Sequence, residues 1–261
     1  MIKAIFLDID GTLVSLETHK IPASTIDALV QVKAKGIKIF IATGRHHSFI
    51  NNLTEIQTLG LIDGYITMNG SCCSVADKVL FKNPIPKQDV REIAKFCEAK
   101  DCTCVFVGEH KAVVYNETTQ FTSMFYDQLH VDRLPTVSLE EALELDTYQL
   151  SPFISFEDEL VLSKQLQNCE IVRWIDQFAD VGAKGNTKQL GIDKMIEHFG
   201  IELSETMAFG DGGNDITMLK HAAIGIAMGN AREDVKNAAD YVTKTVDENG
   251  IAYALHHFNV I

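Results

Sequence analysis

A parallel, doubly wound α/β sheet interrupted by a second, smaller α/β unit is the fold class this sequence predicts. Apolar strand patterns alternate with helical patterns from Ile2 to Met68, the rhythm breaks at Asn83-Pro84-Ile85-Pro86, and it resumes after Gly185.

The elements follow in order. Ile2 to Asp8 reads as an apolar strand, Ala23 to Lys35 as a helix stopped by Gly36, and Ile37 to Ala42 as a second buried strand. Ser48 to Leu59 reads as a helix capped by Gly60, Gly64 to Met68 as a short strand, and Ser71 to Phe81 as a hairpin. In the inserted stretch, helical patterns cover Lys87 to Ala99, Ser138 to Leu145 and Asp158 to Gln167. Strands cover Thr103 to Val107, Ala112 to Tyr115 and Ile171 to Ile175, where Trp174 reads as core. The first rhythm returns with a helix from Thr187 to Phe199 and strands at Thr206 to Phe209, Ile224 to Ala227 and Tyr241 to Thr243. Residues 1–83 and 184–261 therefore read as one discontinuous domain, and 84–183 as the insertion.

With 46% apolar residues the chain of 261 can bury a sizeable core. Its net charge of −13 and its lack of Lys/Arg clusters argue against nucleic acid or an anionic membrane as partner. The apolar start meets Asp8 too soon for a signal peptide or a span, so a cytoplasmic protein is expected. Six cysteines (Cys72, Cys73, Cys97, Cys102, Cys104, Cys169) are then reduced thiols, and none is assigned a role. The oligomeric state is not legible.

Four polar runs each follow an expected strand, where open α/β sheets bind ligands. In Asp8-Ile9-Asp10-Gly11-Thr12, two carboxylates two residues apart share one side of an extended chain, so one can attack while the other moves protons. The Ile9 amide can face a phosphoryl oxygen; a turn with solvated acids, or a calcium loop, fits the same run. In Thr43-Gly44-Arg45, the hydroxyl and tight turn can donate to phosphate, or Thr43 caps a following helix. Arg45 can bind substrate phosphate or a surface acid. In Lys184-Gly185-Asn186-Thr187-Lys188, Asn186 is placed to cap the next helix. Lys188 at a helix start opposes the dipole, which marks it either as functional or as a solvated lysine. In Gly210-Asp211-Gly212-Gly213-Asn214-Asp215, Asp211 suits magnesium together with the acids of the first run, and Asp215 is a supporting carboxylate or a helix cap.

In this order, the four runs resemble the haloacid dehalogenase (HAD) superfamily, and Gly225-Ile226-Ala227-Met228-Gly229-Asn230-Ala231 resembles its Cof-type phosphatase branch. The resemblance covers essentially the whole chain. It implies a Rossmann-like core with a mobile α/β cap governing specificity, and a Mg2+-dependent phosphatase of small phosphorylated metabolites, such as sugar phosphates or flavin mononucleotide. Residue by residue, it implies Asp8 as nucleophile and metal ligand, Asp10 as general acid and base with its carbonyl on the metal, and Asp211 as the third ligand. Thr43, Gly44, Lys188, Asn214 and the Ile9 amide would hold phosphate. The family often has Gly after its third-run lysine, whereas Gln189 follows Lys188 and the Lys-Gly pair is Lys184-Gly185; Lys188 is preferred because it begins the helix. A phosphomutase using the same intermediate, and a non-catalytic phospho-ligand binder, are the competing readings.

Overall fold

A computed structural model describes residues 1–128 and 132–261, with backbone alone at Gln128, Trp174 and Ile175. The core placement expected of the Trp174 side chain lies outside what is described. The chain forms two compact units: Met1–Arg45, Ile50–Lys82 and Thr187–Ile261 make the first, His46–Phe49 and Asn83–Asn186 the second.

The strands in chain order are β1 (Ala4–Leu7), β2 (Lys38–Ala42), β3 (Gly64–Thr67), β4 (Cys72–Val75), β5 (Lys78–Lys82), β6 (Cys104–Val107), β7 (Ala112–Tyr115), β8 (Gln149–Pro152), β9 (Cys169–Ile175), β10 (Phe178–Ala183), β11 (Thr206–Gly210), β12 (Ile224–Ala227) and β13 (Tyr241–Val242). In the first unit they form a sheet ordered β13-β12-β11-β1-β2-β3-β4-β5. Pairing is parallel from β13 to β3, and the β4–β5 hairpin adds two antiparallel strands at one edge.

Both faces of the central strands are covered, which is why they read as continuous apolar runs rather than alternating ones. Ile5, Leu7, Ile39 and Ile41 join one cluster with Leu29, Val32, Ile251 and Leu255, whose helices are Ala23–Ala34 and Gly250–His257. Ala4, Phe6, Phe40 and Ala42 point the other way, into a cluster with Ile192, Met195, Met218 and Leu219 from helices Lys188–Phe199 and Ile216–His221. The expected doubly wound α/β architecture is present.

Polar clamps fix the strand starts. Asp63 accepts from Lys33 Nζ (2.7 Å), Lys38 Nζ (2.9 Å) and the Ile39 amide (2.9 Å). Burial alone would raise this carboxyl, but the two lysines and the amide outweigh it and hold it below the usual range. Its stabilisation is therefore complete above the unfolded carboxylate range, near pH ~4, and is lost as pH falls through the lower folded value. Asp63→Asn is expected to lower stability by about 1–3 kcal/mol, read from the urea midpoint at neutral pH.

The second unit is a five-stranded antiparallel sheet ordered β7-β6-β8-β10-β9. One side packs against helices Lys87–Lys100, Leu139–Leu143 and Phe156–Ser163 through a core that includes Ile93, Phe106, Leu150 and Val181. The rings of Phe121, Phe125, Phe153 and Phe178 form a second cluster in this unit.

Two expectations are corrected. The single helix from Ser48 to Leu59 is a 3-10 turn at His47–Phe49 and a short helix, Thr54–Thr58. Asn51 and Asn52 separate them, side chains that compete for backbone hydrogen bonds and favour a break. Asn186 does not cap the helix that follows it. Thr187 is the N-cap, its hydroxyl accepting from the Leu190 amide at 3.1 Å, while Asn186 exchanges hydrogen bonds with Asn83.

Candidate active site

The carboxyl ends of β1, β2, β3 and β11 bring the motif residues of the first unit together. After β1 the chain turns at once: the Val14 amide donates to the Ile9 carbonyl (2.8 Å) and the Gly11 amide to the Val14 carbonyl (2.9 Å). Gly11 has φ +78°, and a Cβ there would lie 2.2 Å from Asp211 Oδ2, so only glycine lets this turn press against Asp211.

Asp8 is 7% exposed, and Lys188 and Asp215 are wholly buried. Lys188 Nζ donates to Asp8 Oδ1 at 2.6 Å and to Asp215 Oδ1 at 2.5 Å. The other Asp215 oxygen accepts the amides of Asp211 (3.0 Å) and Gly212 (2.8 Å), shaping the loop after β11. Asp211 in turn accepts from Thr12 Oγ1 at 2.7 Å, joining the first and fourth runs. Lys188 is thus no solvated lysine: the helix start that disfavours its charge is overruled by two carboxylates. Lys184, the alternative, donates to the Gln167 carbonyl in the other unit.

The charges do not balance locally. Carboxylate oxygens of Asp8, Asp211 and Asp215 lie within 4.8 Å of one another, with one lysine among them. Burial, and then the Asp215, Asp211 and Asp10 charges, push the Asp8 carboxyl well above its ordinary range against the pull of Lys188. Burial also pushes Asp211 up to about 6, with Thr12 opposing. Burial disfavours the Lys188 charge as well, but Asp215 and Asp8 outweigh it and hold the ammonium protonated. An excess of buried and half-buried carboxylate is the environment a hard divalent cation relieves, so the donor set fits magnesium. Asp8 and Asp211 are the side chains suited to hold it, because both oxygens of Asp215 are already engaged.

Asp10 is placed differently from Asp8. Its carboxylate is gripped by Arg45, Nε to Oδ2 at 2.8 Å and a terminal nitrogen to Oδ1 at 2.6 Å. Arg45, read from sequence as a substrate contact, here holds the acid/base candidate. Thr43 Oγ1 accepts the Arg45 amide at 3.0 Å within this turn. A Cβ on Gly44 would lie 3.6 Å from Asn214 Nδ2, so the second and fourth runs also meet.

Two contributors have no signal in the sequence reading. Thr12 was a bystander in the first run. Asn230 donates to the Gly11 carbonyl (2.8 Å) and accepts from the Val246 amide (3.1 Å), tying the loop after β1 to the region beyond β12. Only the run Gly225 to Ala231 marked its neighbourhood, and it carries no chemistry of its own.

The family pattern described as haloacid dehalogenase-like hydrolase matches residues 5–255. The chain belongs to that family. Among HAD relatives, the Bacillus subtilis protein named "Putative phosphatase YkrA" is 34% identical over 99% of this chain and 98% of its own length. A solved structure described as the HAD subclass IIB sugar phosphatase BT4131 is 57% identical, covers 99% of this chain and 100% of its own, and superposes with a TM-score of 0.94. The phosphatase BT1666 from Bacteroides thetaiotaomicron is 41% identical, covering 100% of this chain and 96% of its own, with a TM-score of 0.90. The HAD fold, the Cof-type branch and the phosphatase class expected from the motifs all stand. No helix among the described residues is long and apolar enough to cross a membrane.

Proposed function

We propose that this HAD phosphatase hydrolyses sugar phosphates through an aspartyl phosphate on Asp8, with Mg2+ as cofactor. The observation that carries the reading is the Asp8 carboxylate, nearly buried and held at 2.6 Å by a wholly buried lysine beside Asp211. Similarity to a sugar phosphatase at 57% identity supports the substrate class. The insertion, residues 84–183, is assigned the choice of leaving group. A cytoplasmic setting belongs to the same reading.

In the first half-reaction an Asp8 oxygen attacks phosphorus in line as the bond to the sugar oxygen breaks, and Asp10 protonates that oxygen. In the second, Asp10 takes a proton from the water that attacks the aspartyl phosphate, releasing phosphate and restoring Asp8. Asp10 must leave Arg45 to act in either step, so the Asp10–Arg45 pair represents a resting arrangement. Lys188 keeps Asp8 oriented and offsets phosphoryl charge, while Thr43, Gly44, Asn214 and the Ile9 amide surround the transferring oxygens. Magnesium, held by Asp8, Asp211 and the Asp10 carbonyl, would supply further positive charge to those oxygens.

The test is phosphate release across hexose and pentose phosphates, nucleotides and flavin mononucleotide with Mg2+ present. Sugar phosphates are expected to give the highest kcat/KM. An isomeric sugar phosphate with little free phosphate would sink the hydrolytic reading.

Chelation of divalent ions is expected to cut turnover by roughly 10²–10³-fold or more, with recovery on adding Mg2+. Because Asp211 is held up at about 6, the native chain binds a proton there that the unfolded chain has already released. Metal must displace that proton and any held by Asp8, so Mg2+ affinity is higher above about pH 6 than below it, which calorimetric titrations at about pH 5 and about pH 7 would show. Equal affinities would contradict it.

A further inference from the structure

At the carboxyl end of β3, three consecutive residues with no role so far adopt left-handed backbone: Met68 (φ +49°), Asn69 (φ +53°) and Gly70 (φ +95°). For Met68 this conformation is disfavoured by its Cβ, so the surroundings must impose it. They do so through the site. The Met68 amide donates to the Arg45 carbonyl (3.1 Å) and the Asn69 amide to the Thr43 carbonyl (3.0 Å). Gly70 lies against the N-cap of the Lys188 helix, where a Cβ would stand 2.1 Å from the Thr187 carbonyl oxygen. The Asn69 side chain reaches the fourth run, its Oδ1 accepting from Asn214 Nδ2 at 3.0 Å. It also flanks Gly44, whose Cβ would meet Asn69 Oδ1 at 3.2 Å.

We propose that Asn69 is a positioning residue for phosphate recognition, fixing the Asn214 amide so that its NH2 end serves the phosphoryl group beside Gly44. The inference rests on Asn214 being a phosphate donor, as read above. An amide offers an oxygen and an NH2 of nearly equal size, and an anion tolerates only the second. Asn69 Oδ1 accepts one N–H of Asn214, which selects the NH2 end and leaves the other N–H for a phosphoryl oxygen. Because the Asn69 amide is bonded to the Thr43 carbonyl, the same residue also sets the spacing between the second and fourth runs. The left-handed backbone is what lets one residue face both.

The experiment compares the parent with Asn69→Gly, Asn214→Ala and the double variant, using inorganic phosphate as competitive inhibitor and the best sugar phosphate for KM and kcat. Glycine adopts φ +53° freely, so this substitution removes the side chain without straining the loop, and the thermal midpoint should hold or rise. Asn214→Ala is expected to weaken phosphate inhibition about tenfold and Asn69→Gly roughly three- to tenfold, with KM moving more than kcat. The double variant should be no worse than Asn214→Ala alone, since Asn69 works through Asn214. Additive losses would overturn the proposal, because Asn69 would then act independently. Asn69→Gly with unchanged inhibition and KM would also overturn it, leaving the phosphate role of Asn214 intact if Asn214→Ala alone weakens inhibition. If neither single variant weakens inhibition, the role of Asn214 falls together with the inference.

Discussion

Asp8→Asn is expected to reduce phosphate release by about 10⁴-fold or more while leaving the protein folded. The amide keeps the shape of the carboxylate and an oxygen for the Lys188 hydrogen bond at the same place, but it cannot become an acyl phosphate. Stability should move opposite to activity. Asp8 is pushed above its ordinary range by burial and by three neighbouring acids, so ionised Asp8 is a burden on the metal-free fold. Removing that charge should leave the metal-free thermal midpoint unchanged or raise it. Residual turnover near the parent rate would require another nucleophile and would end the aspartyl-phosphate reading. A sharp fall in the melting temperature would place the main role of Asp8 in the core.

Lys188→Ala is expected to damage both properties. Its ammonium is the cation bonded to Asp8 and Asp215, and it is wholly buried. Deleting one member of a buried ion cluster leaves uncompensated charge at a cost of about 3–5 kcal/mol. Activity should fall by roughly 10²–10³-fold, the scale seen when one preorganised electrostatic group is removed. Because Asp8 and Asp211 can also be neutralised by a divalent ion, added Mg2+ should return part of the lost stability and little of the activity. Lys184→Ala, whose parent lysine caps the Gln167 carbonyl, should retain near-parental turnover. If instead the Lys184 variant is inactive and the Lys188 variant active, the reading of the third run is reversed.

How much of this was legible in the sequence depends on whether the signal was local. The central strands were, because Ile5, Leu7, Ile39 and Ile41 alternate with Phe6, Phe40 and Ala42 in short, uninterrupted apolar runs bounded by turn residues. Strand β10 was not: Phe178 to Ala183 contains a register shift between Phe178 and Asp180 that breaks the period of two. Strand β8 is four residues ending in Pro152, which reads as a turn although it lies between β6 and β10. In the site, Asp8, Asp211 and Asp215 announced themselves as charges after expected strands, and Lys188 as a charge at an expected helix start. The Arg45 grip on Asp10, the Thr12–Asp211 bond and the Asn69–Asn214 pair depend on side chains 35, 199 and 145 positions apart, which no local pattern records.

The pairing of β1 with β11, Ala4 opposite Thr206, has a consequence during synthesis. A ribosome adding about 5–20 residues per second needs roughly 10–40 s to pass from the first of these strands to the second. For that interval β1 and β2 can pair, but the far edge of β1, destined for the middle of the sheet, has only solvent or a stranger to bond with. The nascent chain is therefore both inert and adhesive until β11 emerges, and it is before then that protection by a chaperone would matter most.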